Sequence, residues 1–145
     1  MAADADGDLH QGDGRVDLEV GDALVNQSET HTIDWRSVCS ITSGLDVLGD
    51  RWSLLIVRDL IAHGTRTYSE FRESPEHVAT NILADRLRLL SSLGIIERSD
   101  PHASARNNAY RLTPSGEALK PVLEELGRWS QAHLRQFHAD MVDSV

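Results

Sequence analysis

The sequence predicts an α+β domain, mainly helical, with a two-stranded hairpin late in the chain and a long helix after it. Three observations carry that class. Apolar residues recur at three- and four-residue spacings in separate stretches after residue 35. Glycines 49, 64 and 94 close three of those stretches, and Thr113-Pro114 opens the last. Two short β-type runs, 95–98 and 109–112, flank a polar loop.

The first helix begins near Ser37 with a stripe of Val38, Ile41, Leu45, Val47 and Leu48. Gly49 ends it and Asp50 is placed to cap its successor. That successor, 52–62, is apolar almost all round and belongs at the centre of a small core, with Trp52 a core residue. After Gly64, a loop carrying Arg66 leads to Ser69, the expected cap of a short helix bearing Phe71 and closed by Pro75. A further helix, 78–93, aligns Ala79, Leu83, Leu87 and Leu90 on one side, and turns Asn81, Ala84, Asp85 and Arg88 to the other, with Thr80 at the edge. Two strands follow, joined by residues 99–108, which carry Arg106 beside Asn107 and Asn108. The last helix runs from Pro114 to about Phe137, with Pro121 a candidate kink.

Charge is distributed unevenly. The chain of 145 residues carries a formal −9. Residues 1–34 hold seven Asp and two Glu against one Arg, a balance of −8. Between Arg51 and Arg111, nine Arg stand against seven acids. The expected organisation is therefore a disordered acidic tail over 1–34, a folded body over 35–138 and a short tail over 139–145. Alternation at 15–20 reads as a short edge strand within the first tail.

No run is long and apolar enough for a membrane span, and the N-terminus lacks a basic start and apolar run. The lone Cys39 cannot form an internal disulfide. A cytoplasmic protein without a membrane partner is expected. No Gly-rich phosphate loop, nucleophile elbow or Cys/His zinc spacing occurs, so neither an enzyme, a cofactor nor a metal is expected.

Short helices, a longer helix and a hairpin in this order describe a winged helix–turn–helix with a two-stranded wing. Such an order reads double-stranded DNA by laying one helix in the major groove with the hairpin beside it. Asn81 suits a bidentate contact to adenine; Thr80, Arg66 and Arg106 suit phosphate, the last from the hairpin loop, and Ser69 is a further DNA-contact candidate. Arg88 suits guanine or phosphate, and Arg86 either phosphate or a structural ion pair. Ala84 lies on the same outward side. Asp85 either faces a cytosine amino group or pairs with Arg88. Arg51 and Arg58 read as partners of Asp59 or other acids.

Four strings then resemble, in order and spacing, HxlR-type transcriptional regulators, a branch of the MarR-like winged-helix proteins. They are LGDRWSLLIVRDL (48–60), TYSEFRESPE (67–76), ATNILADRLRLLSSLGIIER (79–98) and AYRLTPSGEALKPVLEELGRW (109–129). The resemblance implies a homodimer held by the first and last helices on a pseudo-palindromic operator. The acidic tail is outside the family's usual pattern, and the hairpin loop has a single Arg. Independently, Leu45, Leu48, Leu119, Val122, Leu123, Leu126, Trp129 and Leu134 exceed what a small core can cover, which favours a dimer interface built from them. Cys39, in the first turn of the first helix, has two readings: a small residue that never reacts, or a thiol sensor. The resemblance admits the second, since family cysteines at this position include sensors of oxidants and electrophiles. The expected protein is a DNA-binding repressor, with a small-molecule effector or thiol chemistry as routes to release. The alternative is a winged-helix module that binds protein and has lost DNA.

Overall fold

The computed structural model describes residues 15–18, 31–104 and 108–143. Strands β1 (Arg15–Leu18) and β2 (His31–Asp34) pair antiparallel, with Val16 opposite Ile33. Both segments fall within the stretch that composition assigns to a disordered tail, and for these eight residues that reading is corrected. The strand expected from alternation at 15–20 is present over 15–18, whereas its partner, HTID, carries no periodic signal. Ile33 is buried, and Arg36 ties the following linker to the next helix by pairing with Asp46. The remaining residues of the 1–34 stretch lie outside the described residues.

Helices α1 (Ser40–Leu48) and α2 (Ser53–His63) are separated by the expected breaker and cap. Asp50 Oδ2 accepts from the backbone N–H of Trp52 and Ser53 at 2.9 and 3.0 Å, satisfying donors that the start of α2 leaves open. Gly64, at φ +78°, ends α2 in a conformation open to glycine. The chain then forms a strand, β3 (Thr65–Thr67), where the sequence suggests loop. Three residues are too few to show a period. What makes them a strand is pairing with a segment more than forty residues later, Thr65 opposite Arg111.

The cap of α3 (Tyr68–Phe71) is Thr67 and not Ser69. Thr67 Oγ1 accepts from the Glu70 N–H at 3.3 Å while Glu70 Oε2 accepts from the Thr67 N–H at 2.8 Å, a reciprocal capping box. Helix α4 (Thr80–Ser92) follows, then β4 (Ile96–Arg98) and β5 (Ala109–Leu112). The sheet order is β3-β5-β4, all antiparallel, so the expected two-stranded wing gains a third strand at its base.

The predicted final helix is two helices: α5 (Pro114–Glu117) and α6 (Lys120–His133). Pro121 explains the break. It has no N–H to give to the carbonyl four residues back, that of Glu117, and its ring would collide with it. Pro121 therefore sits in the first turn of α6, where neither defect matters.

The core gathers Ile56, Val57 and Leu60 from α2, Phe71 from α3, Leu83, Leu87 and Leu90 from α4, and Ile95 and Ile96 ahead of the wing. Each such burial stabilises by roughly 1.5–3 kcal/mol, against less than about 1 kcal/mol for an exposed ion pair. Packing of α2 and α4 thus fixes how α4 is presented. Among the described residues no helix is long and apolar enough to cross a membrane, and no His/Cys/Asp/Glu group is placed to hold a metal.

Candidate nucleic-acid interface

Helix α4 buries Leu83, Leu87, Leu89 and Leu90 and leaves Thr80, Asn81 and Ile82 exposed at its N-terminal end. Ala84, Asp85, Arg86 and Arg88 are half-buried beside them. An open concavity of about 540 Å³ is lined by Asp50, Trp52, Asn81, Ile82, Asp85, Arg86 and Arg88. Three of the expected contact residues, Asn81, Arg86 and Arg88, therefore share one surface. Ala84 lies on the same helix and lends its backbone carbonyl to Arg88 Nε at 3.4 Å. Trp52, expected in the core, is half-buried and bridges the concavity and the space beside Ile56, Phe71 and Leu83.

Charges within this surface are matched. Arg86 binds Asp85 at 2.5 Å and stands 3.6 Å from Asp50, so the structural alternative for Arg86 is the one present. Of the two readings for Asp85, a cytosine contact or a pair with Arg88, neither included the Arg86 partner that it has here. Burial would raise the Asp50 carboxyl, but hydrogen bonds from Ser53 and Trp52 and the charge of Arg86 leave it below the usual range. It stays ionised and keeps Arg86 oriented.

The approach to α4 is tethered from α2 and α3. Tyr68 Oη donates to the Thr80 carbonyl at 2.9 Å. Arg58 grips Glu76 through Nη1 and Nη2 at 2.5 and 3.0 Å, and Asp59 through Nη2 at 2.8 Å. The first of these contacts holds the Glu76 carboxyl below its ordinary value. Buried Asp59 also takes Arg66 Nη1 at 3.1 Å and the hydroxyl of buried Ser74. Arg66 in addition donates to Ser74 Oγ at 3.0 Å and lies over the Phe71 ring, 6.0 Å from its centroid.

Arg66, expected to meet phosphate, has its side chain 13% exposed and its guanidinium turned inward onto Asp59 and Ser74, which favours a structural role. Its partner, seven positions earlier on α2, is brought near only by the turn at Gly64. Arg58 meets Asp59 as expected and adds Glu76, while Arg51 is exposed. Ser69 is exposed on α3, next to the residue that holds Thr80. Arg106 and Asn107 lie outside the described residues. Asn108, at the end of the hairpin loop, is buried, its Oδ1 accepting from the Asp100 N–H at 3.4 Å.

Away from this surface, Cys39 occupies the N-cap of α1, one residue ahead of the expected first turn, and is exposed. Hydrogen bonds from the Thr42 backbone and side chain, then the Ile41 backbone, lower its thiol below the ordinary value. Of the residues expected at a dimer interface, Leu45, Val122, Leu126 and Trp129 are about half exposed, joined by Ile41 at 73%. Leu48, Leu119 and Leu123 pack partly against the core, and Leu134 is half-buried. A groove of about 500 Å³ runs between α2 and α6, walled by Leu55, Ile61, Leu123, Leu126, Met141 and Val142.

Sequence reasoning missed Ile82 and Asp50 as parts of the concavity. Ile82 was legible in principle, since it falls off the leucine stripe of its own helix.

The profile of the HxlR-like helix-turn-helix family matches residues 47–138. The uncharacterized HTH-type transcriptional regulator YvaP of Bacillus subtilis (strain 168) is 31% identical over 86 residues, which cover 59% of this chain and 79% of YvaP. Among solved structures, PA1607, a putative transcription factor, superimposes with a TM-score of 0.59 at 39% identity, covering 68% of this chain and 67% of PA1607. The redox regulator HypR in its reduced form superimposes with a TM-score of 0.61 at 25% identity, covering 70% of this chain and 99% of HypR.

Proposed function

Because this chain belongs to the HxlR-like helix-turn-helix family, and is thus a DNA-binding transcriptional regulator of HxlR/MarR type, we propose that it acts as a homodimeric repressor on a pseudo-palindromic operator. The observation that carries the reading is the placement of Asn81. It is exposed near the N-terminus of α4, with four buried leucines behind it. That is the end of a recognition helix whose side chains reach base edges, and Asn is built to pair both adenine N6 and N7.

In this reading Asn81 reads a base, while Thr80 and Ser69 hold phosphates on either side of the Tyr68 tether. Arg88 and Ala84 flank Asn81 along the groove. Arg86 positions Asp85 and reaches phosphate only by giving up an existing ion pair. The wing loop, to which Arg106 belongs by sequence, meets the flanking backbone. The half-exposed Leu45, Val122, Leu126 and Trp129 on α1 and α6 form the two-fold interface, which sets the recognition helices roughly 34 Å apart. Cys39, exposed with a lowered thiol pKa, serves as the thiol sensor, a role supported by the likeness to a redox regulator. An effector has the groove between α2 and α6 available to it.

The test is duplex binding measured against salt, with the operator recovered from a randomised pool. Asn81→Ala is expected to cost about 1–3 kcal/mol on the selected site and to relax its sequence preference. Arg106→Ala is expected to weaken all duplexes alike and to flatten the salt slope by about one unit. Unchanged affinity and preference in the Asn81 variant would refute the assignment.

A further inference from the structure

Ile82 is the one large apolar residue of α4 that the fold leaves exposed. Every leucine in the first three turns of the helix is buried, Leu83 and Leu90 completely. Ile82 is an exposed large apolar residue, at 36%. A β-branched side chain in a helix is also a slightly poorer helix former than alanine or leucine, so local propensity does not favour it there. It lines the concavity that holds Asn81, next to Asn81 in sequence and one turn before Asp85 and Arg86.

The other groups on that flank are already satisfied. Asp85 is taken by Arg86, and Arg86 also faces Asp50. What this flank offers to a partner is therefore an apolar group rather than a charge. In the major groove only one base feature is apolar, the 5-methyl group of thymine. The branched side chain suits such a contact because its χ1 is fixed by the helix, so little rotamer freedom remains to be lost on binding.

Resting on the proposed seating of α4 in the major groove, we propose that Ile82 is a specificity-determining residue that packs against the 5-methyl group of a thymine in the half-site read by Asn81. The contact adds a preference for thymine that hydrogen bonding alone does not supply. Its size follows from burial of one methyl group, about fourfold in affinity per half-site.

The experiment replaces each thymine of the selected operator in turn by uracil, which removes only that methyl group. Binding is compared between the unaltered chain and Ile82→Ala. One thymine per half-site is expected to show a loss of about fourfold in the unaltered chain, and none with Ile82→Ala. Conversely, Ile82→Ala is expected to lose affinity for the thymine duplex and none for the uracil duplex. Because Ile82 is exposed and alanine is the better helix former, the variant's thermal midpoint is expected to stay level or rise. The proposal is overturned if no uracil substitution costs affinity, or if the cost persists undiminished in Ile82→Ala. Absence of any sequence-selective duplex binding would instead refute the DNA-reading role of α4, a different result. The uracil scan on the unaltered chain stands by itself whatever the variant's stability.

Discussion

Replacing Arg66 by alanine separates a structural arginine from a phosphate ligand. Asp59 is buried, with its side chain 10% exposed, and holds three partners: Arg58, Arg66 and Ser74. Breaking an isolated buried ion pair costs about 3–5 kcal/mol, because the surviving charge is left without compensation. Here Arg58 remains, through Nε at 3.0 Å and Nη2 at 2.8 Å, so the loss is nearer that of one charged hydrogen bond. Adding the lost cover over Phe71, we expect Arg66→Ala to destabilise by about 2–3 kcal/mol. With a denaturant slope of about 1–3 kcal/mol per molar, the urea midpoint should fall by about 1–2 M. Tryptophan fluorescence follows the transition, since Trp52 sits beside the affected cluster. The salt dependence of DNA binding by the folded variant should keep its slope. An unmoved urea midpoint together with a slope shallower by about one unit would show that Arg66 contacts phosphate, and the structural account would fail.

Other perturbations test other parts of the fold. Gly116 is buried, and a Cβ there would stand 2.2 Å from the Ile95 carbonyl oxygen and 2.9 Å from Leu112 Cδ2. Gly116→Ala should therefore cost about 2 kcal/mol despite better helix propensity, read as a melting temperature lower by about 10 °C. His77, in the turn leading to α4, has φ +55°. His77→Gly should relieve left-handed strain of about 1 kcal/mol and raise or hold the melting temperature; a clear drop would mean that the imidazole has an unrecognised role. The contact with Arg58 depresses Glu76, so its contribution to stability is present above the ordinary carboxyl value of 4.5 and is lost as pH falls through the lowered one. Glu76→Gln should be less stable than the unaltered chain at pH 7, with the difference closing in acid. A difference that stays constant down to pH 3 would contradict this.

Much of the architecture was readable from spacing alone. The stripe of Leu83, Leu87 and Leu90 located both the buried and the outward side of α4, and the apolar run of 52–62 located the helix at the centre of the core. What escaped has a common cause, dependence on partners distant in sequence. β3 exists because β5 pairs with it, and HTID is a strand because β1 lies alongside. Arg66 looked like a loop cation until the turn at Gly64 set it against Asp59. The Thr67 cap is different: Thr67-x-x-Glu70 is a local capping signature, better spaced than Ser69 and legible two residues before it. The split of α5 from α6 was equally local, since Pro121 marks it by its missing N–H.

The pairing of arginines within the body bears on how such a protein would travel along a chromosome. Of the nine arginines between positions 51 and 111, at least Arg58, Arg66, Arg86 and Arg111 are bound to carboxylates of the same chain. A guanidinium held in such a pair has less to offer a phosphate, and counterion displacement by phosphate contacts is what holds a protein on arbitrary sequence. If the chain seats on DNA as proposed, these pairs leave fewer guanidinium groups for arbitrary sequence, and loose adhesion to bulk genome is expected to be weaker than the arginine count suggests. Fewer copies would then be sequestered on irrelevant sites, so that a modestly tight operator could still be filled.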